Sequence, residues 1–311
     1  MKILEYDEVN ALDVFQLNLL ALGFALSPEH ATHIRRTDPR PFPFLALYAV
    51  EDERVIGQVG VFRLPMVTTE GREDVGGVWA VSTHPEYAGR GIASRLLDEA
   101  HSCMREAGLR FSTLGTDRFR VAYKLYQQLG YVDTQVLGYA LAPWNVAHQP
   151  TRLRAQPVGS QGYDLVDQVF AEIAKDYLGF SWRHTPFIRL RDRVALEDIW
   201  ILWKNKELIG YALTHKDNAT LDITSLLVKN GTDAAEAIAA VISKTRTPYI
   251  RVKLSRPSEI ASLRRAGYHV AYPSWDAFMI KPLVPEVSYD DAVKRFGLGT
   301  DQFMISWLDI T

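Results

Sequence analysis

Residues Val78 to Ala100 read VWAVSTHPEYAGRGIASRLLDEA. Alternating apolar residues predict a strand over Gly77–Thr83, which ends at His84-Pro85. A short loop carrying Gly89 and Gly91 then opens an amphipathic helix that runs to about Ala107. A strand, a glycine loop and a helix in that order have a physical consequence. Backbone N–H groups converge at the helix N-terminus, and the two glycines permit tight curvature and close approach. With the helix dipole behind it, such a nest binds a phosphate or pyrophosphate. Arg90 adds a cation capable of a charge-assisted contact.

Working outward, the sequence predicts a helix over Asp7–Gly23 with an apolar stripe of Val9, Leu12, Phe15, Leu19 and Leu22. Pro39, Pro41 and Pro43 force an extended lead-in to strands Phe44–Val50 and Val55–Leu64, joined by the polar turn Glu51-Asp52-Glu53. Met66–Gly76 reads as a polar loop or second hairpin. After the helix come a strand at Leu109–Leu114, a helix from about Phe119 to Leu129 and a strand at Tyr131–Leu141. Ala142–Gly162, with its prolines and glycines, is the expected linker. Beyond it the same order recurs: a helix, strands Ile199–Trp203, Leu208–Thr214 and Leu221–Val228, helix Ala234–Ser243, strand Tyr249–Leu254, helix Ser258–Ala266 and strand Ala277–Lys281. Two echoes support a repeat. RVIGQVGVF from Arg54 resembles ELIGYALTH from Glu207, and YQQLGYV from Tyr126 resembles LRRAGYHV from Leu263.

At 311 residues the chain is long for one core, so two domains are expected. The ranges are 1–145 and 146–285, with a helix or strand tail over 286–311. An apolar fraction of 47% and a charged fraction of 23% exclude disordered and fibrous classes. The net charge of −2 argues against a general nucleic-acid partner. The first 150 residues carry 14 basic and 18 acidic side chains, a balance that suits a cationic substrate. The single cysteine, Cys103, excludes an intramolecular disulfide and a cysteine zinc site, which points to a cytoplasmic setting. Leu19–Leu26 is too short to cross a membrane and follows acidic residues, so neither a membrane segment nor an export signal is expected.

The Val78–Ala100 segment resembles motif A of the GNAT acetyltransferase superfamily, with the match on Ala88, Gly89, Gly91 and Ala93. Ala88 stands where the family usually has Gln or Arg. A second stretch, AYKLYQQLGYV from Ala122 to Val132, resembles the family's A-x-x-x-Y-x-x-x-G-F/Y signature, and Phe119 stands where an Asn often precedes it. The two motifs cover about residues 1–142. The resemblance implies an α/β fold with a mixed sheet, and acetyl-CoA as acyl donor without a metal. The pyrophosphate would rest on the amides from Gly89 through Arg90, Gly91, Ile92 and Ala93 to Ser94. Pantetheine would pair with the backbone near Val81, Ser82 and Thr83. An acceptor amine, in a small molecule or peptide, would attack the thioester directly, with a strand N–H stabilising the oxyanion. Tyr126 falls on the family's general-acid position, where its phenol could protonate the departing thiolate; packing is the alternative role.

No general base emerges. His84 caps a strand end or titrates, Asp117 is a loop residue or a base, and Val75–His84 holds no carboxylate. Trp79 either lines the acceptor pocket or packs in the core, whereas Trp182, Trp200, Trp203 and Trp275 are expected in the core. His30 and His33 read as surface residues, and Phe296–Gly299 as a turn. In the second half KNGTDAAEAIA, Lys229–Ala239, replaces the glycine loop, so one cofactor site per chain is expected. A competent module followed by a degenerate one resembles the Eis-type acetyltransferases, whose additional C-terminal domain has no counterpart in residues 286–311. The tail alternates Phe303, Ile305, Trp307 and Ile310, a strand pattern that adds to a sheet edge or crosses between the halves. The Thr311 carboxylate at its end could reach the cleft as a base. The competing reading is a non-catalytic acyl-CoA-binding or regulatory protein. A longer acyl group and a homo-oligomer stay open.

Overall fold

The structure is a computed structural model describing residues 1–184, 194–306 and 308–309. Trp307, Ile310 and Thr311 lie outside the described residues. The first part of the chain forms β1 (Lys2–Glu5), α1 (Ala11–Leu22), α2 (Pro28–Thr37), β2 (Pro41–Glu51), β3 (Arg54–Thr68), β4 (Gly71–Thr83), α3 (Ile92–Glu106), β5 (Phe111–Asp117), α4 (Val121–Gln128) and β6 (Val132–Asp133). The second part continues with β7 (Gly138–Pro143), α5 (Trp144–Ala147), β8 (Leu153–Pro157), α6 (Gly162–Ala174), β9 (Leu178–Gly179), β10 (Ile199–Lys204), β11 (Glu207–Lys216) and β12 (Thr220–Val228). It closes with α7 (Ala234–Ile242), β13 (Tyr249–Leu254), α8 (Pro257–Arg265), β14 (His269–Ala271), β15 (Asp276–Pro282), α9 (Tyr289–Phe296) and β16 (Phe303–Met304).

Two mixed sheets result, ordered β1-β2-β3-β4-β5-β15-β6 and β8-β10-β11-β12-β13-β7-β14. Matching orders give the internal repeat its three-dimensional form: β3 and β11 hold the echoed glycines Gly57 and Gly210. Gly130 and Gly267, the second echo, both adopt left-handed φ, +87° and +86°, just past α4 and α8.

One expectation changes. Tyr131–Leu141 is not a single strand of the first sheet. Val132–Asp133 pairs with β15, the chain turns at Gln135 (φ +56°), and β7 enters the second sheet beside β13. Reciprocally, β15 leaves the second sheet and pairs antiparallel with β5 along its whole length. Each half thus lends its last long strand to the other. The alternation of apolar residues suits either sheet, and strand pairing is a non-local choice that periodicity does not encode. Arg118 fixes the exchange. Its guanidinium grips Asp133 at 2.7 and 2.9 Å and donates to the carbonyls of Ser274 and, at 2.7 Å, Asp276.

The first helix also packs differently from its predicted stripe. α1 buries Val14, Leu17 and Asn18 and leaves Leu12, Leu19 and Leu20 exposed. The helix is apolar on nearly all sides, so spacing alone does not choose a face. A buried amide pair chooses it: Gln58 Nε2 on β3 donates to Asn18 Oδ1 at 2.8 Å, and Asn18 Nδ2 returns the bond to Gln58 Oε1 at 3.2 Å. α2, absent from the sequence reading, starts at a Ser27 cap that accepts from His30 N, with Pro28 at its first position.

The tail contributes less strand than its pattern suggests. β16 pairs in parallel with β9, which touches Val67 of the long β3–β4 hairpin, so the tail does join the first sheet at its edge. Beyond it Asp309 folds back onto the N–H and Oγ of Ser306 and clasps Arg183 at 3.0 and 2.9 Å. Both partners of this ion pair are buried. Arg183→Ala should therefore cost about 3–5 kcal/mol in urea unfolding of the full chain, because it strands the Asp309 carboxylate. A double Arg183→Met/Asp309→Leu variant should lose clearly less.

Candidate active site

β4 and β5 run parallel but pair only at Gly76–Ser112 and Gly77–Thr113. Both continue past these rungs, to Thr83 and Asp117, so the β5-facing edge of Ala80–Thr83 has no strand neighbour. Across its other edge β4 stays paired with β3, through a bulge at which Ala80 takes φ +51°. A bulge of this kind re-aims local backbone groups. Close packing supports it: a Cβ on Gly60 would lie 2.2 Å from Trp79 Nε1, so only glycine fits beneath that indole.

The glycine loop forms as expected. Gly89 and Gly91 take φ +77° and +71°, and Gly91 is the N-cap of α3 with no side-chain cap. The helical ladder begins with Arg95 N donating to Gly91 O at 3.2 Å. The amides of Ile92, Ala93 and Ser94 therefore precede the ladder and are open to an anion. Nothing lies within 4 Å of a Cβ built on Gly89 or Gly91, so the space above them is open and their requirement is conformational. Ala88 closes a short turn onto Pro85 O. Arg90 is engaged: its guanidinium meets Glu51 at 2.8 and 2.9 Å and lies over the Tyr87 ring.

Val81, Ser82 and Thr83 end the strand a few residues before this loop, with Ser82 and Ile92 buried and Ala88–Gly91 exposed. Tyr126 is separate from them in sequence yet close in packing. It lies in the buried cluster that contains Ile92 of α3, and Val78 and Leu114, the residues just past the last paired rungs. Its ring is edge-on to Tyr131, and its hydroxyl makes no hydrogen bond among the described residues. Burial pushes the phenol up to about 12, against a smaller opposing pull from Arg120.

The base candidates are occupied otherwise. His84 Nδ1 accepts from Glu86 N at 3.3 Å, the capping role. Asp117 pairs with Arg120 at 2.6 Å. It stands opposite Asp276 of β15, whose carboxyl burial and the Asp117 charge push up despite nearby Lys253. Asp276 was invisible as a site neighbour in the sequence because the strand exchange brings it there. Trp79 stacks on Phe62 at 4.9 Å, and its Nε1, like Ser82 Oγ, is buried without a hydrogen-bond partner among the described residues. Cys103 is half-buried with its thiol pushed up by burial and by Glu99 and Glu106, an unreactive setting. Trp200 is in the core as expected, but Trp275 stands in solvent.

Residues 12–132 match the sequence profile described as Acetyltransferase (GNAT) domain. This chain carries a GNAT N-acetyltransferase domain. Among solved structures, a probable N-acyltransferase from Enterococcus faecalis V583 superposes with a TM-score of 0.70 at 16% identity, covering 91% of this chain and 72% of its own. A GCN5-related N-acetyltransferase from Kribbella flavida gives 0.62 at 16% identity, over 94% and 72%. Eis1 from Mycobacterium abscessus gives 0.58 at 14% identity, over 91% and 74%. At these identities the structures speak for the shared two-sheet fold. No curated protein sequence matches the chain.

The second sheet repeats the splay. β12 and β13 pair only from Thr220–Tyr249 to Ile223–Val252. Here the gap is filled: Met304, Ile305 and Ser306 of the tail line it together with Leu226, Leu254 and Leu137, leaving about 30 Å³. The helix that follows is closed as well, since Asp233 caps α7 by accepting from Glu236 N at 3.1 Å. A carboxylate thus sits where an anion would bind. Among the described residues no group of three His, Cys, Asp or Glu could hold a metal, and no helix is long and apolar enough to cross a membrane.

The raised phenol of Tyr126 has a thermodynamic signature. Because its folded-state value lies above the ordinary 10, the neutral phenol's contribution is complete below pH 10 and is lost as pH rises toward 12. Tyr126→Phe should flatten that part of the alkaline stability loss, read from urea midpoints at pH 9 and pH 11.

Proposed function

We propose that the chain transfers the acetyl group of acetyl-CoA to a primary amine. The observation that carries this is the open edge of Ala80–Thr83, followed through the glycine loop by the N-terminus of α3, which has no side-chain cap. The amides from Gly89 to Ser94 would hold the pyrophosphate, aided by the dipole of a 15-residue helix. Pantetheine would run between β4 and β5 as a surrogate strand, meeting the β5-facing backbone groups of Val81–Thr83. That path places the thioester toward the apex of the splay, near the bulge and near Tyr126.

The neutral amine attacks the thioester carbon, and a β4 N–H near the Ala80 bulge supports the oxyanion. Collapse breaks the C–S bond, the Tyr126 hydroxyl gives its proton to the thiolate, and the amine's surplus proton leaves to water, from which the phenolate is reprotonated. A phenol at about 12 is protonated throughout the physiological range, as an acid for a thiol of pKa ~8.5 needs to be. The filled gap and the Asp233 cap of the second module support one cofactor site per chain.

Thiol release from acetyl-CoA with a panel of primary amines tests the reading; binding without turnover on any amine would favour a non-catalytic acyl-CoA-binding protein. Tyr126→Phe should lower kcat by roughly 10²–10⁴ with acetyl-CoA affinity retained, and undiminished turnover would remove the acid role. Gly91→Val, which forces a β-branched residue into left-handed φ, should weaken CoA by at least about tenfold in calorimetry. The wild-type rate should rise with pH as the amine deprotonates, with no alkaline fall from Tyr126 until pH approaches about 12.

A further inference from the structure

Where β5 ends and β15 begins, three large apolar side chains stand in solvent: Phe119 at 68%, Val121 at 90% and Trp275 at 62% exposure. The rings of Phe119 and Trp275 touch edge to face, 6.1 Å apart at 70°. The backbone that carries Trp275 is firmly held. Arg118 N donates to Trp275 O at 2.8 Å, and the Arg118 guanidinium reaches the carbonyls on either side while paired with Asp133. Exposed aromatic surface carried on a fixed backbone is characteristic of a binding face.

Topology says what the face meets. β4 and β5 are parallel, so their C-terminal ends open at one edge of the sheet. β15 is antiparallel to β5 with Asp276 opposite Asp117, so Trp275 reaches the same edge. The ring pair therefore stands across the mouth of the splay from Gly89–Ser94. Arg120 and Lys124, one turn apart on the exposed side of α4, add positive charge beside it; Arg120 also pairs with Asp117. An aromatic platform flanked by cations suits a purine that carries phosphate.

Resting on the acetyl-CoA reading, we propose that Phe119 and Trp275 form a stacking platform for the adenine base of CoA. Trp275 lies between β14 of the second sheet and β15, so the second module completes the nucleotide end of the first module's site. This gives the degenerate half a direct part in cofactor recognition through the exchanged strand.

Calorimetry on the full chain, with CoA and with 4′-phosphopantetheine, tests this. Trp275→Ala should weaken CoA about tenfold, the scale of one lost base–aromatic stack. It should leave phosphopantetheine within about twofold of wild type, and Trp275→Phe should recover most of the CoA affinity. Phe119→Ala should behave like Trp275→Ala. Unchanged CoA affinity in both alanine variants, or equal weakening of both ligands, overturns the platform. A wild-type chain that binds neither ligand overturns the cofactor reading itself, a result distinct from variants that bind CoA normally.

Discussion

Parallel pairing of β4 with β5 ends after Gly77 and Thr113, and the rest of the molecule can be understood as what holds those strands apart. An unpaired strand edge inside a sheet leaves backbone donors and acceptors without partners, which a fold avoids unless something else meets them. β3 secures β4 from one side through the bulge at Ala80, and β15 secures β5 from the other along seven residues. Tyr126, Ile92 and Leu96, from α4 and α3, belong to the same buried core as Val78 and Leu114, the residues just past the last rungs. The cleft is thus imposed by rigid neighbours rather than left by poor packing.

Duplication explains why the same gap occurs twice with opposite outcomes. In the second sheet the tail residues Met304–Ser306 line the splay, and the Asp233 carboxylate caps the helix where the first module presents bare amides. Two local differences separate the modules: Gly91 against Asp233 at the helix cap, and an open edge against a filled one. The tail is held in place by the buried Arg183–Asp309 pair and by pairing of β16 with β9. A segment outside the repeat therefore closes one copy of the cleft.

The exchange of β7 and β15 ties the modules into one unit. Ala277 and Met279 of β15 share a core with α3 and α4, while Ala140 and Ala142 of β7 share one with α7 and α8. Arg118 and Asp133 lock the crossing. The proposed adenine platform depends on this exchange, because Trp275 is carried to the cleft mouth by β15.

Local chemistry was legible in the sequence. The glycine loop, the amphipathic helix it opens and the His84 cap follow from spacing, capping preference and amphipathic period, which act over a few residues. The echoes around Gly57/Gly210 and Gly130/Gly267 likewise marked equivalent strands and helix ends. Choices between distant, equally apolar partners were not legible. Which face of α1 is buried was settled by Asn18 meeting Gln58, 40 residues away. Which sheet receives β7 and β15, and hence that Asp276 and Trp275 border the cleft, was settled by strand pairing across more than 100 residues. The sequence by itself determined the glycine loop and the repeated order of elements, because both rest on local backbone geometry. Only the tertiary structure decided that the halves exchange strands and that the tail fills the second gap, because those outcomes depend on competition among long-range contacts.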